Sequence, residues 1–273
     1  MHYLNNRWVK REDLVISAFD LSITRGFGVF DFLRTYHANP FCLKDHIKRF
    51  NNSLKILGMK PVKSDQEITN IVLQGIKKNA FKETNIKIIQ TGGLSDDGMT
   101  PNGTYSFLAM FTPATIYPKK YYQKGVKVIT WPMGRIYTAA KSLNYMAGVM
   151  ALSQAKKQGA VEALYIDNKY IYECVTSNFY AVIKGKIITG RQNILLGVTR
   201  KVVLSLTKKL GIKMVERTLL KKEISSFDEA FLSASNKEVM PVVQIDEKRI
   251  GNGQPGPITK KIMRVFKTLT KNY

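Results

Sequence analysis

The chain has few cysteines and histidines and no long apolar run. It contains 2 cysteines and 3 histidines in 273 residues. Cys42 and Cys174 have neither the spacing of a metal site nor that of a disulfide framework, so we predict no bound metal and a reducing compartment. No apolar stretch reaches the roughly 20 residues that cross a bilayer, and residues 1–7 lack a signal pattern. We therefore expect a cytoplasmic protein with no membrane role.

Acidic residues are also scarce. The chain has 20 Asp and Glu against 43 Lys and Arg, a formal net charge of +23. Such an excess can attract nucleic acid, and a basic nucleic-acid-binding protein is the alternative from another class, with salt-dependent retention on DNA. The basic residues come as doublets such as Lys77-Lys78, however, with no run of five and no interleaved aromatics. We therefore expect a solvated surface and no nucleic-acid partner, although an anionic substrate would still be attracted.

The first half of the chain shows clear local signals. They predict a hairpin at Asn5-Asn6, an amphipathic helix from Leu43 to Leu57 that ends at Gly58, a capping box at Ser64 to Glu67 that opens a second helix, and strands at 85–90 and 105–111. The stretch 112–118 holds two prolines and no periodicity. We place a linker at 113–122, between an N-terminal domain of residues 1–112 and a C-terminal domain of residues 123–273.

The second half alternates irregularly between helices and short strands. Helices are predicted at 142–158, 199–210 and 258–271, and strands at 126–130, 163–166, 170–172, 178–183, 186–189, 229–233 and 242–245. The helices interrupt the strands without the steady alternation of a parallel sheet. We therefore predict a mixed α+β fold in both domains.

Two residues of the second half suggest imine chemistry. Lys141 lies in a mostly apolar setting, and a lysine with a lowered pKa can form a Schiff base, leave it and move a proton at a substrate Cα. Glu173 follows a Tyr-Ile-Tyr strand, where a carboxylate can keep a pyridine nitrogen protonated. Taken alone, each residue is more often an ordinary surface residue.

Three further features suggest a phosphate site. Gly197-Val-Thr199 opens a helix, whose free N–H groups and positive dipole end attract phosphate. Ser235 and Asn236 fall in a polar turn after a strand, and Arg49 lies beside the apolar stripe of the first long helix. The alternatives are a plain helix cap, a capped turn and a solvated arginine. Amine, carboxylate and phosphate groups together describe a pocket for pyridoxal 5′-phosphate (PLP).

The order and spacing of these motifs are similar to those of a known family. The runs Arg25 to Arg34, Asp45 to Arg49, Lys141-Ser-Leu-Asn-Tyr145, Glu173 to Asn178, Leu196 to Arg200 and Asn236 to Val242 resemble the class IV (fold type IV) PLP-dependent aminotransferases. The resemblance implies a two-domain α+β fold, with a smaller N-terminal α/β sandwich and a larger C-terminal mixed α/β pseudo-barrel. It also implies PLP as cofactor, amino acid and 2-oxo acid substrates, and a homodimer.

The resemblance assigns roles to individual residues. Lys141 is the implied catalytic lysine, Glu173 the partner of the pyridinium, and Arg49 a phosphate ligand. The implied cofactor-binding set is Arg49, Lys141, Glu173, Thr176, Ser177, Leu195, Gly197, Val198, Thr199, Ser235 and Asn236. The implied substrate-binding set is Phe30, Arg34, Lys87 and Tyr145.

Two segments bear on the substrate. The run from Val29 to Arg34 and the lysine motif resemble those of branched-chain aminotransferases. The loop 92–99 carries Asp96 and Asp97 where D-amino acid aminotransferases carry Arg and His, and a carboxylate there would repel a substrate carboxylate. We therefore predict an aminotransferase that moves an amino group between a branched-chain-like L-amino acid and a 2-oxo acid by a ping-pong mechanism through Lys141.

The alternative within the same family is 4-amino-4-deoxychorismate lyase. That enzyme uses the same lysine to release pyruvate and 4-aminobenzoate for folate synthesis. Asp31, where the aminotransferases show a carboxylate, argues mildly against the lyase. The net charge of +23 argues mildly for its multiply anionic substrate.

Overall fold

The computed structural model describes residues 1–132 and 134–273. The chain divides into two compact units. The first comprises Met1–Thr115, Ala139–Tyr145 and Tyr273, and the second comprises Ile116–Thr138 and Met146–Asn272. The chain therefore leaves the first unit inside the segment predicted as a linker. Residues 139–145, which the sequence placed in the C-terminal domain, pack with the first unit instead.

The first unit is built on one antiparallel sheet. Its strands are β1 (His2–Leu4), β2 (Arg7–Val9), β3 (Gly28–Tyr36), β4 (Asn39–Pro40), β5 (Thr84–Thr91) and β6 (Phe107–Pro113). They lie in the order β2-β1-β6-β5-β3-β4, and every pairing is antiparallel. The hairpin predicted at Asn5-Asn6 is confirmed by the pairing of His2 with Val9.

Two long helices cover one face of this sheet. The helices of the unit are α1 (Leu21–Thr24), α2 (Leu43–Ile56) and α3 (Asp65–Asn79). Phe50 and Leu54 of α2 and Ile68 of α3 are buried with Leu33 of β3 in one apolar core, and each such side chain stabilises the fold by about 1.5–3 kcal/mol. Both helices were predicted, and the capping box that opens α3 at Ser64 is confirmed.

Strand β3 separates two kinds of side chain. Asp31, Leu33 and Thr35 are buried, whereas Phe30 and Arg34 are only partly buried. Successive side chains of a strand point to opposite faces. The side chains of Phe30 and Asp31 therefore point to opposite faces of the sheet, and Asp31 lies on the face that packs against α2.

The second unit holds a larger, mixed sheet of ten strands. These are β7 (Val126–Trp131), β8 (Glu162–Ile166), β9 (Tyr170–Cys174), β10 (Asn178–Ile183), β11 (Lys186–Thr189), β12 (Met214–Glu216), β13 (Leu219–Leu220), β14 (Glu229–Ala234), β15 (Glu238–Ile245) and β16 (Lys248–Arg249). Their order is β12-β11-β10-β14-β15-β7-β8-β9-β13, with β16 paired to β15. The pairs β11–β12, β15–β7 and β7–β8 are parallel. The α+β prediction is confirmed in both units.

The helices of the second unit are α4 (Lys119–Lys124), α5 (Met146–Lys157), α6 (Val198–Lys209) and α7 (Pro257–Lys271), with a 3₁₀ helix at Lys221–Ser226. Helix α4 occupies part of the predicted linker. Helix α5 begins at Met146, so the prediction of a helix from residue 142 was wrong for its first four residues. Ser142 pairs with Val29 of β3 instead. Within residues 1–132 and 134–273, no helix combines the length and the hydrophobicity that a membrane crossing requires.

Candidate active site

Backbone hydrogen bonds fix the position of Lys141 in the first unit. Its carbonyl accepts from the Phe30 N–H at 2.9 Å, and its own N–H donates to Ser53 Oγ at 3.0 Å. Two residues later, the Leu143 N–H donates to the Gly28 carbonyl at 2.9 Å. The lysine therefore lies between the start of β3 and helix α2.

The close approach of this segment to β3 requires a glycine at position 28. Gly28 has a φ of +147°, and a Cβ there would lie 2.8 Å from the Gln90 carbonyl oxygen and 2.7 Å from Leu143 Cδ1. Both distances are shorter than any ordinary contact of a Cβ. A larger residue would therefore displace the segment that carries Lys141.

The side chain of Lys141 lies over an aromatic ring. Its Nζ is 4.5 Å from the centre of the Phe30 ring, and Lys87 Nζ is 5.6 Å from the same centre. The Tyr145 ring packs edge-on at 5.4 Å from Phe30. The Phe30 ring thus contacts the predicted catalytic lysine and two further predicted substrate residues, Lys87 and Tyr145.

The fourth predicted substrate residue lies farther along the strand. Arg34 is on the same face of β3 as Phe30 but four residues away, about 13 Å at the rise of an extended chain. Its guanidinium packs 4.6 Å from the centre of the Tyr36 ring. The structure therefore does not bring Arg34 into the group around Phe30, and its substrate role stays a prediction.

The opposite face of β3 carries a buried charge cluster. Asp31 accepts from Arg49 Nε at 2.8 Å and from Arg49 Nη2 at 2.7 Å, and it lies 2.7 Å from His46 Nδ1. Although burial opposes ionisation, Arg49 and His46 hold the pKa of Asp31 well below its usual range. Burial lowers the pKa of His46 despite the neighbouring carboxylate, which favours a neutral ring. From the sequence, Asp31 served only as an argument against the lyase, and His46 only as part of the run Asp45 to Arg49. Neither residue was assigned to the site, although an acid among buried strand residues was a usable signal.

Glu173 lies buried at the end of β9 in the second unit, with 4% of its surface exposed. Its carboxylate accepts from the Leu195 N–H at 3.0 Å and from Asn178 Nδ2 at 3.2 Å, and it forms an ion pair with Arg135 Nη1 at 3.3 Å. Asn178 also donates to the Leu195 carbonyl at 2.7 Å. The predicted pyridinium partner is thus oriented by neighbours. Arg135 was missed because nothing distinguishes it from the other arginines of the sequence.

A buried ion pair holds the turn that follows Glu173. Thr176 Oγ1 and Ser177 Oγ both donate to Glu162 Oε1, the latter at 2.9 Å. Lys237 Nζ is 2.9 Å from the same oxygen and donates to Thr176 Oγ1 at 2.6 Å. Burial alone would lower the pKa of Lys237. The neighbouring Glu162 carboxylate opposes this effect, and the pKa of Lys237 is raised above its usual value. This buried lysine therefore stays protonated and is a poor nucleophile.

The predicted phosphate site begins at the N-terminus of α6. Gly197 is the N-cap and has no side chain with which to cap the first turn, so the first N–H groups of the helix suit an anion. A Cβ at Gly197 would lie 2.1 Å from Asn178 Oδ1. Only glycine therefore lets the helix begin beside the residue that orients Glu173.

The remaining predicted cofactor residues lie in one turn. Ser235 and Asn236 are half-buried between β14 and β15, and Asn236 Nδ2 donates to the Tyr117 hydroxyl at 3.3 Å. The donor set of the chain, with an amine, a buried carboxylate, a helix N-terminus capped by glycine and an arginine, fits the chemical groups of PLP. In the described part of the chain, no cluster of three or more His, Cys, Asp or Glu residues could hold a metal ion.

Comparison with known proteins identifies the family. The family model described as amino-transferase class IV matches residues 28–245. The chain belongs to the class IV aminotransferases. A putative branched-chain-amino-acid aminotransferase of Methanocaldococcus jannaschii is 34% identical over 98% of this chain and 95% of the relative. A D-alanine aminotransferase of Staphylococcus epidermidis is 28% identical over 99% of this chain and 98% of the relative.

Solved structures extend the likeness to the fold. The branched-chain amino acid aminotransferase of Escherichia coli matches with a TM-score of 0.92 and 26% identity, over 99% of this chain and 94% of that chain. Another similar structure, also of a branched-chain amino acid aminotransferase, contains pyridoxamine 5′-phosphate. The fold-type IV prediction is confirmed, and this class IV aminotransferase is an enzyme of the transaminase type. The lyase alternative is not favoured, because the two relatives described above are named aminotransferases.

The buried Glu162–Lys237 pair yields a prediction about stability. Lys237→Met leaves the Glu162 carboxylate buried without its cation, so we expect the free energy of unfolding to fall by about 3–5 kcal/mol. The double variant Lys237→Met/Glu162→Gln removes both charges and should recover most of the loss. Chemical denaturation followed by circular dichroism measures both values.

The matched control for this prediction is an exposed ion pair of the same unit. Lys127 Nζ lies 2.8 Å from Glu247 Oε1, and the Glu247 side chain is 87% exposed. Lys127→Met should change the free energy of unfolding by less than about 1 kcal/mol. If Lys127→Met and Lys237→Met lower the free energy of unfolding equally, burial of the Glu162–Lys237 pair has no energetic consequence.

Proposed function

We propose that this class IV aminotransferase uses PLP to move an amino group between a branched-chain L-amino acid and a 2-oxo acid such as 2-oxoglutarate. The observation that carries the proposal is the placement of Lys141, whose backbone is held by β3 and α2 and whose amine lies 4.5 Å from the centre of the Phe30 ring. We further propose a homodimer, as the resemblance implies, and a cytoplasmic location, which the low cysteine content favours.

Each chemical group of PLP has a proposed partner in the chain. When bound, PLP supplies an aldehyde that joins an amine and a ring that withdraws electrons from the substrate Cα. Lys141 provides the amine. The Glu173 carboxylate would accept a hydrogen bond from the protonated ring nitrogen, and Leu195 would pack on the ring. The family resemblance assigns the phosphate to Arg49, to the first N–H groups of α6 and to Ser235, each of which would supply donors to an anion.

The chain's own residues then move one proton. With PLP bound, the neutral Lys141 Nζ would take the proton from the substrate Cα and would later give it to the former aldehyde carbon of the cofactor, two atoms along, on the other side of the nitrogen. Phe30, Lys87 and Tyr145 border the substrate on the side of this amine. The 2-oxo acid product leaves before the second substrate enters, so the kinetics are ping-pong.

Two observations support a branched-chain L-amino acid as substrate. A relative that is 34% identical is named a putative branched-chain-amino-acid aminotransferase. In the loop 92–99, the N–H groups of Thr100 and Met99 donate to Asp97 Oδ1 at 2.6 and 2.8 Å, and these bonds lower the pKa of Asp97. A carboxylate held ionised in this loop disfavours the capture of a substrate carboxylate there.

Single-substrate reactions test the proposed function. Protein loaded with PLP and mixed with one amino acid at a time should convert to the pyridoxamine 5′-phosphate form with L-leucine, L-valine and L-glutamate but not with D-alanine. Absorbance spectra report the conversion. Reaction with D-alanine alone would contradict the proposed substrate. Silence towards every amino acid, with pyruvate release from aminodeoxychorismate, would contradict transamination itself.

The role of Lys141 has a covalent test. Lys141→Ala should abolish the PLP adduct that borohydride fixes to the protein, because the buried amine of Lys237 is held protonated by Glu162. Lys87→Ala is the matched control, since Lys87 lies over the same Phe30 ring, and it should keep the adduct. Peptide mass spectrometry locates the modified lysine. An adduct that persists in Lys141→Ala would refute the assignment.

The role of Glu173 has a kinetic test. Glu173→Gln should retain PLP but slow removal of the Cα proton by orders of magnitude, because an amide does not keep the ring nitrogen protonated. Stopped-flow spectra with a Cα-deuterated amino acid isolate that step. Glu229→Gln is the control, because Glu229 is also buried in the second unit but accepts from the Ile258 and Thr259 N–H groups. Near-normal proton removal in Glu173→Gln would show that another group serves the ring nitrogen.

A further inference from the structure

The carboxylate of Asp31 is fully buried and saturated with donors. It is 0% exposed, and its oxygens accept from Arg49 Nε at 2.8 Å, from Arg49 Nη2 at 2.7 Å and from the Phe32 N–H at 2.7 Å. His46 Nδ1 lies 2.7 Å from Oδ1. An ionised carboxylate only accepts, so His46 is the donor in this contact. The four contacts leave Asp31 a single orientation.

Asp31 in turn fixes the plane of the Arg49 guanidinium. The two bonds run side by side, from Nε to Oδ2 and from Nη2 to Oδ1. This is the two-pronged geometry that makes an arginine–carboxylate pair directional. An arginine carries five N–H donors, so the donors on Nη1 and the second one on Nη2 point away from Asp31. The side chain is 13% exposed.

The cluster is tied to the segment of the catalytic lysine. Ser53 lies one helical turn after Arg49, accepts from the Lys141 N–H at 3.0 Å and donates to the Arg49 carbonyl at 2.9 Å. The positive charge of Lys141 also contributes to lowering the pKa of His46. Arg49 and the anchor of Lys141 therefore belong to one connected network within the first unit.

We propose that Asp31 is a positioning residue that orients the Arg49 guanidinium for the phosphate of PLP. This inference rests on the proposed function, which makes Arg49 a phosphate ligand. Asp31 does not touch the phosphate itself. Its two hydrogen bonds fix one edge of the guanidinium, so that the other edge meets the phosphate already oriented, with less side-chain freedom to lose on binding.

Charge alone predicts the opposite change in phosphate binding when Asp31 is replaced. Asp31 carries a negative charge beside Arg49, so its removal would raise the local positive potential and strengthen the binding of a phosphate. A positioning role predicts that its removal weakens phosphate binding, although the site becomes more positive. The direction of the change therefore separates the two effects.

The experiment measures how strongly the protein prefers PLP over pyridoxal, which lacks the phosphate. Cofactor-free protein is titrated with each compound, and the ratio of the two dissociation constants is the phosphate preference. Arg49→Met should lower this preference by about tenfold or more, the effect of one lost charge-assisted hydrogen bond. Asp31→Asn should lower it by a similar factor, because the amide puts a donor against the guanidinium.

The double variant tests whether Asp31 acts through Arg49. In the Arg49→Met background, Asp31→Asn should leave the phosphate preference unchanged, since there is no guanidinium left to orient. Asp20→Asn is the matched control. Asp20 is also a buried acid of the first unit, and it accepts from the Ser22 N–H and Thr91 Oγ1, each at 2.7 Å. Its variant should keep the wild-type preference.

The results for the Arg49 and Asp31 variants separate the positioning role of Asp31 from the phosphate-binding role of Arg49. If Arg49→Met lowers the preference and Asp31→Asn leaves it equal or raises it, Asp31 is not a positioning residue, whereas Arg49 remains a phosphate ligand. Additive losses in the double variant also overturn the inference. If Arg49→Met has no effect, the phosphate assignment in the proposed function fails, and this inference fails with it.

A second variant covers the case in which Asp31→Asn does not fold. Asp31→Glu keeps the charge but moves the carboxylate by one methylene, which misaligns the paired bonds. It should lower the phosphate preference by several-fold while circular dichroism stays native. A wild-type preference in a folded Asp31→Glu protein would overturn the inference.

Discussion

The proposed chemistry of this enzyme depends on backbone hydrogen bonds that hold Lys141 against the start of β3. The bonds between Lys141 and Phe30 and between Leu143 and Gly28 extend the edge of β3 by a short antiparallel pairing. A lysine side chain is long and flexible, so its amine is useful only when its backbone is fixed. The third anchor, from the Lys141 N–H to Ser53 Oγ, adds helix α2 as a rigid support.

Much of the fold was readable from local patterns. The hairpin at Asn5-Asn6, the capping box at Ser64 and the periodic helix α2 were each predicted from short segments, because each is stabilised by neighbours in sequence. The start of α5 was predicted too early. Ser142 pairs with Val29 instead, and the Leu143 N–H donates to the Gly28 carbonyl of β3. Such a pairing joins residues far apart in the chain and leaves no local signal.

In the candidate site, too, residues in contiguous motifs were predicted, whereas residues that matter through long-range contacts were missed. Lys141, Glu173 and the turn at Gly197 were predicted as site residues because their motifs are contiguous. Arg135, Glu162 and Lys237 were missed because in sequence they are ordinary charged residues of a chain with 43 Lys and Arg. Only burial distinguishes Lys237 from the solvated lysines, and burial of a charge requires a partner such as Glu162 that the sequence does not point out. Each unit thus has a buried charge network close in the fold to a predicted site residue, Lys141 in the first unit and Glu173 in the second.

The composition of the first unit limits how this enzyme can be recombined. That unit is assembled from three stretches of chain, Met1–Thr115, Ala139–Tyr145 and Tyr273. A chimaera joined at residue 115 would take its β3 from one parent and its Lys141 segment from the other. The parental partners Gly28 and Ser53 would then face a foreign loop. An exchange of the first unit between relatives, in the laboratory or in evolution, must therefore include residues 139–145 together with the N-terminal stretch. Only then does the Lys141 segment keep its hydrogen-bond partners.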